Sequence, residues 1–523
     1  MPEGAAVPAA GRDAAMDDND LARAGQLPAD PAEGTAEAPR ESPPASGTRA
    51  TVDGPEEGGK AKRLAALIQQ RAELVLSPTG RIYALTGRVA RPVDSDDFIG
   101  WCSHEFWQEH DGILTKSMID DVVRAVGGPG LPTRPIHIRV GGDLSRITLD
   151  LGDSSIAVTT QGILQAPDAV FARPKGTLSL PAPHIPKSIA EAAAVLEELR
   201  QVLGLEPQTW IICLAWLLAA LRPEGPYPIL YIRGEQGSGK STLARALLSL
   251  IDPRRPDMRA LPRDPRDLAI RAEHVHVCGF DNVSMVSGEN SDALCRLATG
   301  DGFDTRQLRS DRDLAVFDAA RPMLMTSIID AATRPDLLDR ALIVDLPARE
   351  ERRDDDEIRA AVERLRPRVL GALLFAIAHA MGASDATTIP REVRMRAPAS
   401  FAVRAAPALG LEPGAIVQAY LDSRATAQGV LAEDPVLVAL DDFVKPGQPP
   451  WSGSVGDLLK ALNRQRNGER PWKGWPDNPK GLSSALKRLA PMLRACGIRH
   501  TPPNGRLKGH SNVRAHTLAR DLP

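Results

Sequence analysis

The sequence predicts an α/β protein: a core of mainly parallel strands covered by helices, preceded by a small α+β domain and followed by a helical region and a basic terminal domain. Three observations predict it. A β-rich run at residues 229–232 feeds directly into glycines and then into a helix at 243–251, giving strand, loop and helix in that order. Strands and helices go on alternating to about residue 346, the pattern of a parallel sheet covered by helices. At 523 residues the chain exceeds one ordinary hydrophobic core, so further domains must flank this one.

Residues 1–60 are Ala, Pro, Gly, Asp and Glu with almost no large apolar side chains, and carry 5 Lys/Arg against 12 Asp/Glu. They have too little to bury to offset the entropy of ordering, so a disordered acidic tail is expected. Residues 61–182 read as the α+β domain, with strands at 81–85, 136–140, 147–151 and 156–159 and helix over most of 98–126. They hold no identifiable chemical motif. Asp94, Asp96 and Asp97 read either as a solvated loop, the commoner case, or as a metal cluster. The core spans 183–350 and opens with two helices, at 187–203 and at 210–221; the second is apolar on all sides, as a buried helix is. Helices at 356–382 and about 399–428 make 351–435 a lid or collar. Residues 436–523 bring helices at 455–462 and 482–496 around a Trp/Pro/Gly loop, and from 451 onward hold 14 Lys/Arg against 4 Asp/Glu. That basic end is the part suited to a polyanion, or else a solvated surface.

Hydrophobic residues at 43% and charged residues at 25% are those of an ordinary soluble globular protein. The five cysteines are far apart with no C-x-x-C pairing, which argues against a disulfide framework or zinc site and for a reducing cytoplasm. The chain shows no signal peptide, and its longest apolar run, 210–221, is about half of what a membrane span needs. No membrane association is expected.

Gly234, Glu235, Gln236, Gly237, Ser238, Gly239, Lys240, Ser241 and Thr242 satisfy G-x-x-x-x-G-K-[ST] between a strand and a helix, the context that motif requires. Glycines let the backbone N–H groups turn inward around phosphates, and the helix adds the positive end of its dipole. Lys240 is expected on the β- and γ-phosphates of ATP and Ser241 on Mg²⁺. Downstream, an apolar strand at 275–280 ends in Asp281, either a turn residue or, behind a complete phosphate loop, the second magnesium ligand. Asn282 follows. An amide takes no proton, so it is suited only to orienting the attacking water, and the base is unassigned.

With these residues in place the chain resembles the AAA+ ATPases of the superfamily three helicase type, in particular phage- and plasmid-associated primase-helicase-like ATP-binding proteins. The resemblance is carried by the loop with its upstream segment 222–228, and by 280–284, 291–299, 320–322 and 333–341; it covers roughly 190–520. It implies that Thr326, in the strand at 322–328, senses the γ-phosphate, and that Arg340 is an arginine finger reaching a neighbouring subunit. The other reading of Arg340 is a helix arginine paired with Asp336 or Asp339. A finger implies a ring, and the family implies a hexamer. The segment 303–317 reads as a hairpin around a Ser-Asp-Arg-Asp turn. In the family such a hairpin tracks DNA, with Arg306, Arg309 and Arg312 as phosphate contacts unless Asp304, Asp311 and Asp313 neutralise them. The basic end resembles a winged-helix DNA-binding module in which Lys487, Arg488, Arg494 and Arg499 reach phosphates, or a basic subdomain that packs on the core.

The expectation is a magnesium-dependent, helicase-like ATPase acting on single-stranded or forked DNA in the replication or maintenance of a mobile element. Asn282 and Thr326 keep a second reading open, an ATP-binding switch or a defence or assembly scaffold that unwinds nothing.

Overall fold

Leu64, Leu67 and Ile68 recur at helical spacing and are buried along one face of α1 (Pro55–Arg71), a helix that begins inside the segment expected to be a tail. The computed structural model describes residues 55–128, 130–301, 303–306, 314–317, 320–328, 334–348, 354–384, 387–465, 475–502 and 515–520, so the rest of the tail lies outside the described residues. After α1 come β1 (Glu73–Leu76), β2 (Ile82–Thr86) and β3 (Val89–Pro92), an antiparallel sheet in that order. The single helical stretch expected over 98–126 is two helices, α2 (Asp96–His110) and α3 (Lys116–Val126). Asp111 stops the first in the left-handed region at φ 46°, and Thr115 caps the second by accepting the Met118 N–H. Phe98, Cys102, Phe106, Ile119 and Val123 close a small core against α1. Asp94 pairs with Arg81 and Asp97 with Arg91, and no group of three or more His, Cys, Asp or Glu suited to a metal occurs among the described residues. Asp96 and Asp97 stand in the first turn of α2 and not in a loop.

A second antiparallel sheet runs β4 (Val140–Asp143), β5 (Arg146–Asp150), β6 (Ser155–Thr159) and β7 (Gly162–Gln165) in order. The strand expected at 136–140 therefore starts only at its last residue. Just before it His137 makes an isolated bridge to Phe171, and Arg139 is fully buried: its guanidinium donates to the Asp150 and Leu178 carbonyls at 2.8 and 2.6 Å and to Asp252 Oδ1 at 3.3 Å. Ile147, Leu149, Ile156 and Val158 join the main core, while Ala172 packs with Val75, Leu85 and Ala90.

The main core begins with α4 (Ile189–Leu203) and α5 (Pro207–Ala220), and α5 is buried nearly all round. Then follow β8 (Ile229–Gly234), α6 (Lys240–Ile251), α7 (Pro265–Ala272), β9 (Cys278–Phe280), α8 (Gly288–Thr299), β10 (Phe303–Arg306), β11 (Leu314–Phe317), β12 (Met323–Ser327), α9 (Pro335–Leu338) and β13 (Ala341–Leu346). Four strands form a parallel sheet in the order β13, β8, β12, β9, so β12 is inserted between two strands that precede it in the chain. All four carboxyl ends share one edge, and ligands of open parallel sheets bind outside that edge where the strand order switches. β10 and β11 pair antiparallel, Phe303 opposite Phe317 and Arg306 opposite Leu314, as the two flanks of the expected hairpin do; its Ser-Asp-Arg-Asp turn lies outside the described residues.

α10 (Asp355–Gly382), α11 (Arg396–Ala405) and α12 (Pro413–Ala432) contribute to this same core. Gly371 of α10 has no room for a Cβ, which would lie 1.8 Å from the His184 carbonyl oxygen, and the His184 N–H donates to the Pro367 carbonyl at 2.8 Å. The strap before α4 is thus seated directly on α10. The chain ends in α13 (Pro435–Phe443), β14 (Trp451–Gly453), α14 (Val455–Gln465), α15 (Pro479–Arg488), α16 (Ala490–Ala495), β15 (Ile498–Thr501) and β16 (His516–Arg520), with the sheet antiparallel in the order β14, β16, β15. The helix expected over 482–496 is interrupted at Leu489. Leu440, Leu458, Leu462, Leu482, Leu486, Ile498 and Leu518 give this part a core of its own. The five cysteines are free, and among the described residues no single helix is long and apolar enough to cross a membrane.

Candidate functional site

The carboxyl edge of β8 turns into the loop through three glycines at positive φ: Gly234 at 154°, Gly237 at 85° and Gly239 at 87°. At Gly234 a Cβ would lie 2.5 Å from the Leu346 carbonyl oxygen and 2.7 Å from Ser238 Oγ, so no side chain fits there. Gly239 is the left-handed residue from which α6 starts, which aims the first N–H groups of that helix at the loop. Lys240 is almost buried and folds back over the loop, its Nζ donating to the carbonyls of Gly234 at 2.8 Å and Glu235 at 2.5 Å. Burial holds its pKa below the ordinary lysine value, against the opposing pull of Asp281.

Register brings in the remaining groups. Met325 pairs with Phe280 and Thr326 with Ile232, so the first residue past β9, Asp281, stands level with Thr326 and beside the first turn of α6. Ser241 Oγ donates to Asp281 Oδ1 at 2.8 Å, and Thr326 Oγ1 donates to the same oxygen at 2.6 Å. Thr326 also accepts the Asn282 N–H at 2.9 Å, with Asn282 held at φ 51°. Lys240, Ser241, Asp281, Asn282 and Thr326, read separately from the sequence, thus meet at one edge.

Two neighbours escaped the sequence reading. Arg245, one turn beyond Ser241 on the same face of α6, lies 3.5 Å from Asp281 Oδ2 and 3.2 Å from Asp257. Its i+4 spacing from Ser241 was the available signal. Thr242 Oγ1 donates to Asp355 Oδ1 at 2.6 Å and so ties the loop to the start of α10, a contact between residues too distant in sequence to be foreseen.

ATP and Mg²⁺ both suit this arrangement. The loop is a cradle that a Cβ would fill, and a hydroxyl with one carboxylate is the sparse, hard-oxygen set that Mg²⁺ takes when phosphates complete its shell.

The other candidate residues lie apart from the edge. Arg340 is 8% exposed and donates to both the side chain and the carbonyl of Asp336 at 2.7 Å, the pairing foreseen as its alternative role. Arg306 ends β10, while Arg309 and Arg312 lie outside the described residues. Lys487 is exposed in the last turn of α15, as is Arg494 on α16. Arg488 instead reaches Asp434 at 2.7 Å and braces the terminal domain where the chain enters it.

Fold and site together define a mixed α/β protein whose candidate chemistry gathers at the carboxyl edge of a parallel sheet. Residues 199–426 match the family model of the actinomycete integrative conjugative element replication protein, and residues 436–521 that of the RepA C-terminal domain of the same elements. The two models together span more than half of the chain. No curated protein matches. Among solved structures the chain is similar to the apo C-terminal region of NrS-1 (8% identity, TM-score 0.38, covering 88% of this chain and 99% of that one). It is also similar to the SCCmec type IV Cch active helicase (12% identity, TM-score 0.39, covering 86% and 93%).

Proposed function

We propose that the site binds and hydrolyses ATP with Mg²⁺, and that the protein is a helicase-like ATPase of the AAA+ superfamily three type acting on DNA in the replication of its mobile element. The observation that carries this reading is the convergence of Ser241 and Thr326 on one oxygen of Asp281, immediately beside the Gly234–Lys240 loop. The loop's N–H groups hold the phosphates. Lys240, now on the Gly234 and Glu235 carbonyls, would turn to the β- and γ-phosphates, and Ser241 and Asp281 would hold the metal, which would supply neutralising charge there. Thr326 orients the Asp281 carboxylate through its hydrogen bond. For Arg340 to serve a neighbouring subunit as a finger it leaves Asp336, and a homo-oligomeric ring, a hexamer by resemblance, is the assembly that uses it. Lys487, Arg494 and the hairpin are the surfaces offered to DNA.

The rival reading, a nucleotide-binding switch, draws on Asn282: its amide accepts no proton and its own N–H is taken by Thr326. ATP turnover with and without single-stranded DNA separates the two, using wild type, Lys240→Ala and Arg340→Ala. DNA-stimulated turnover is expected, abolished by Lys240→Ala and lowered roughly 10³-fold by Arg340→Ala if the finger is used. Turnover indifferent to DNA, with no strand displaced, removes the helicase reading; ATP binding without turnover selects the switch.

A further inference from the structure

At the opposite, amino edge of the parallel sheet, a strand's length of roughly 20 Å from the glycine loop, the segment leading into β8 lines a cavity of about 520 Å³. Arg222, Arg396 and Arg404 line it with Thr387, Thr388 and Phe401, and no described lining residue is acidic. Arg222 decides its character. It is 3% exposed; among the described residues its Nη1 and Nη2 reach the Pro226 and Gly225 carbonyls at 3.0 and 3.5 Å, and its Nε has no hydrogen-bond partner. A guanidinium so withdrawn from water is normally paired with a carboxylate. Phe401 fixes the orientation, with Arg222 and Arg404 each over its ring at 6.0 and 5.8 Å. Arg396 stands exposed at the rim, at the start of α11, with Nη2 on the Ile389 carbonyl.

We propose that this cavity is a second phosphate-binding site, separate from the glycine loop, in which Arg222 and Arg396 hold a phosphate group carried by a DNA strand or by a free nucleotide. The fork of each guanidinium suits the oxygens of a phosphate, and the hydroxyls of Thr387 and Thr388 are suited to its remaining lone pairs. The cavity is within the size range of small-ligand sites, which leaves room for a molecule that carries the phosphate. The inference does not depend on ATP hydrolysis at the other edge.

The test uses the full chain as wild type, Arg396→Glu, Arg222→Met and, as a charge control, Arg391→Glu, an exposed arginine nearby that does not line the cavity. One arm measures the affinity of a labelled single strand of about 12 nucleotides. The other measures how many equivalents of ADP the chain takes up. Arg396→Glu is expected to weaken the strand about tenfold or more, equivalent to about 1.4 kcal/mol, or to abolish a second ADP equivalent, while Arg391→Glu does neither. The first result assigns the phosphate to DNA and the second to a free nucleotide. If Arg222→Met fails to fold, the rim variant decides. No change in either arm, or an equal change in Arg391→Glu, overturns the proposal.

Discussion

Thr326 is where a single hydroxyl does the most at the candidate site. It gives its hydrogen to Asp281 and takes the Asn282 N–H, so Thr326→Val removes both bonds without changing the side chain's shape. Losing a hydrogen bond to a carboxylate costs about 1.5–3 kcal/mol, and the variant should show a loss of that order in urea unfolding together with a steep fall in phosphate release. Thr326→Ser, which keeps the hydroxyl, should recover most of both, and a Val variant as active as wild type would remove Thr326 from the site. The loop and Asp281 are legible in the sequence because each carries its signal locally, a spaced motif or an acid closing an apolar strand. That Thr326 touches that acid is not local: it follows from β12 entering the sheet between β8 and β9, which strand propensity does not encode. Arg222 was legible only as part of a recurring string, since burial of a charge leaves no periodic trace.

Elements are joined here by buried charge. Arg139, at the threshold of β4, reaches Asp252 just past α6, and Asp252 also accepts the backbone N–H groups of His276 and Val277. This ties the β4–β7 sheet to the parallel one. Arg139→Met takes the nearer cation from Asp252 and leaves the Asp150 and Leu178 carbonyls without this donor, and should cost about 3–5 kcal/mol in chemical denaturation, whereas Arg146→Ala, which breaks the exposed pair with Asp168, should cost under about 1 kcal/mol. Equal losses would show that the buried pair has no special role. His276 adds a pH dependence. Burial pushes its pKa down to about 4, with Asp252 pulling the other way, and its Nε2 donates to the Ala220 carbonyl at 2.8 Å. An unfolded imidazole takes its proton near 6.5, so between there and about 4 the unfolded chain binds the extra proton. Stability is therefore complete above the unfolded value and lost as pH falls towards the folded one. His137, also pushed down to about 4 by burial, acts in the same window. The melting midpoint should drop across that interval, and His276→Gln should flatten part of the slope; an unaltered slope would place the dependence elsewhere.

At the scale of the whole molecule the described residues divide into separate apolar cores. The break in apolar packing between α12 and α13 lies at 433–434, and Met492 is the residue that packs against both sides of it. Beyond that break the chain from 451 onward carries a formal net charge of +10, while residues 1–60 carry −7, so phosphate affinity should be concentrated at one end. Deleting residues 435–523 removes the terminal core as a unit, along with the Arg488–Asp434 and Arg520–Asp441 braces, and leaves the parallel sheet and its edge intact. The shortened chain should still melt cooperatively and bind ATP through the loop. Its DNA affinity should fall, and the slope of log affinity against log salt should shrink by about 0.7 for each phosphate that is no longer neutralised. Lys487→Ala with Arg494→Ala in the full chain should reproduce part of that change without moving the melting midpoint, since both side chains are exposed. If the deletion weakens binding with the slope unchanged, the basic end packs on the core and the phosphates are met elsewhere, leaving the hairpin and the amino-edge cavity to hold the strand.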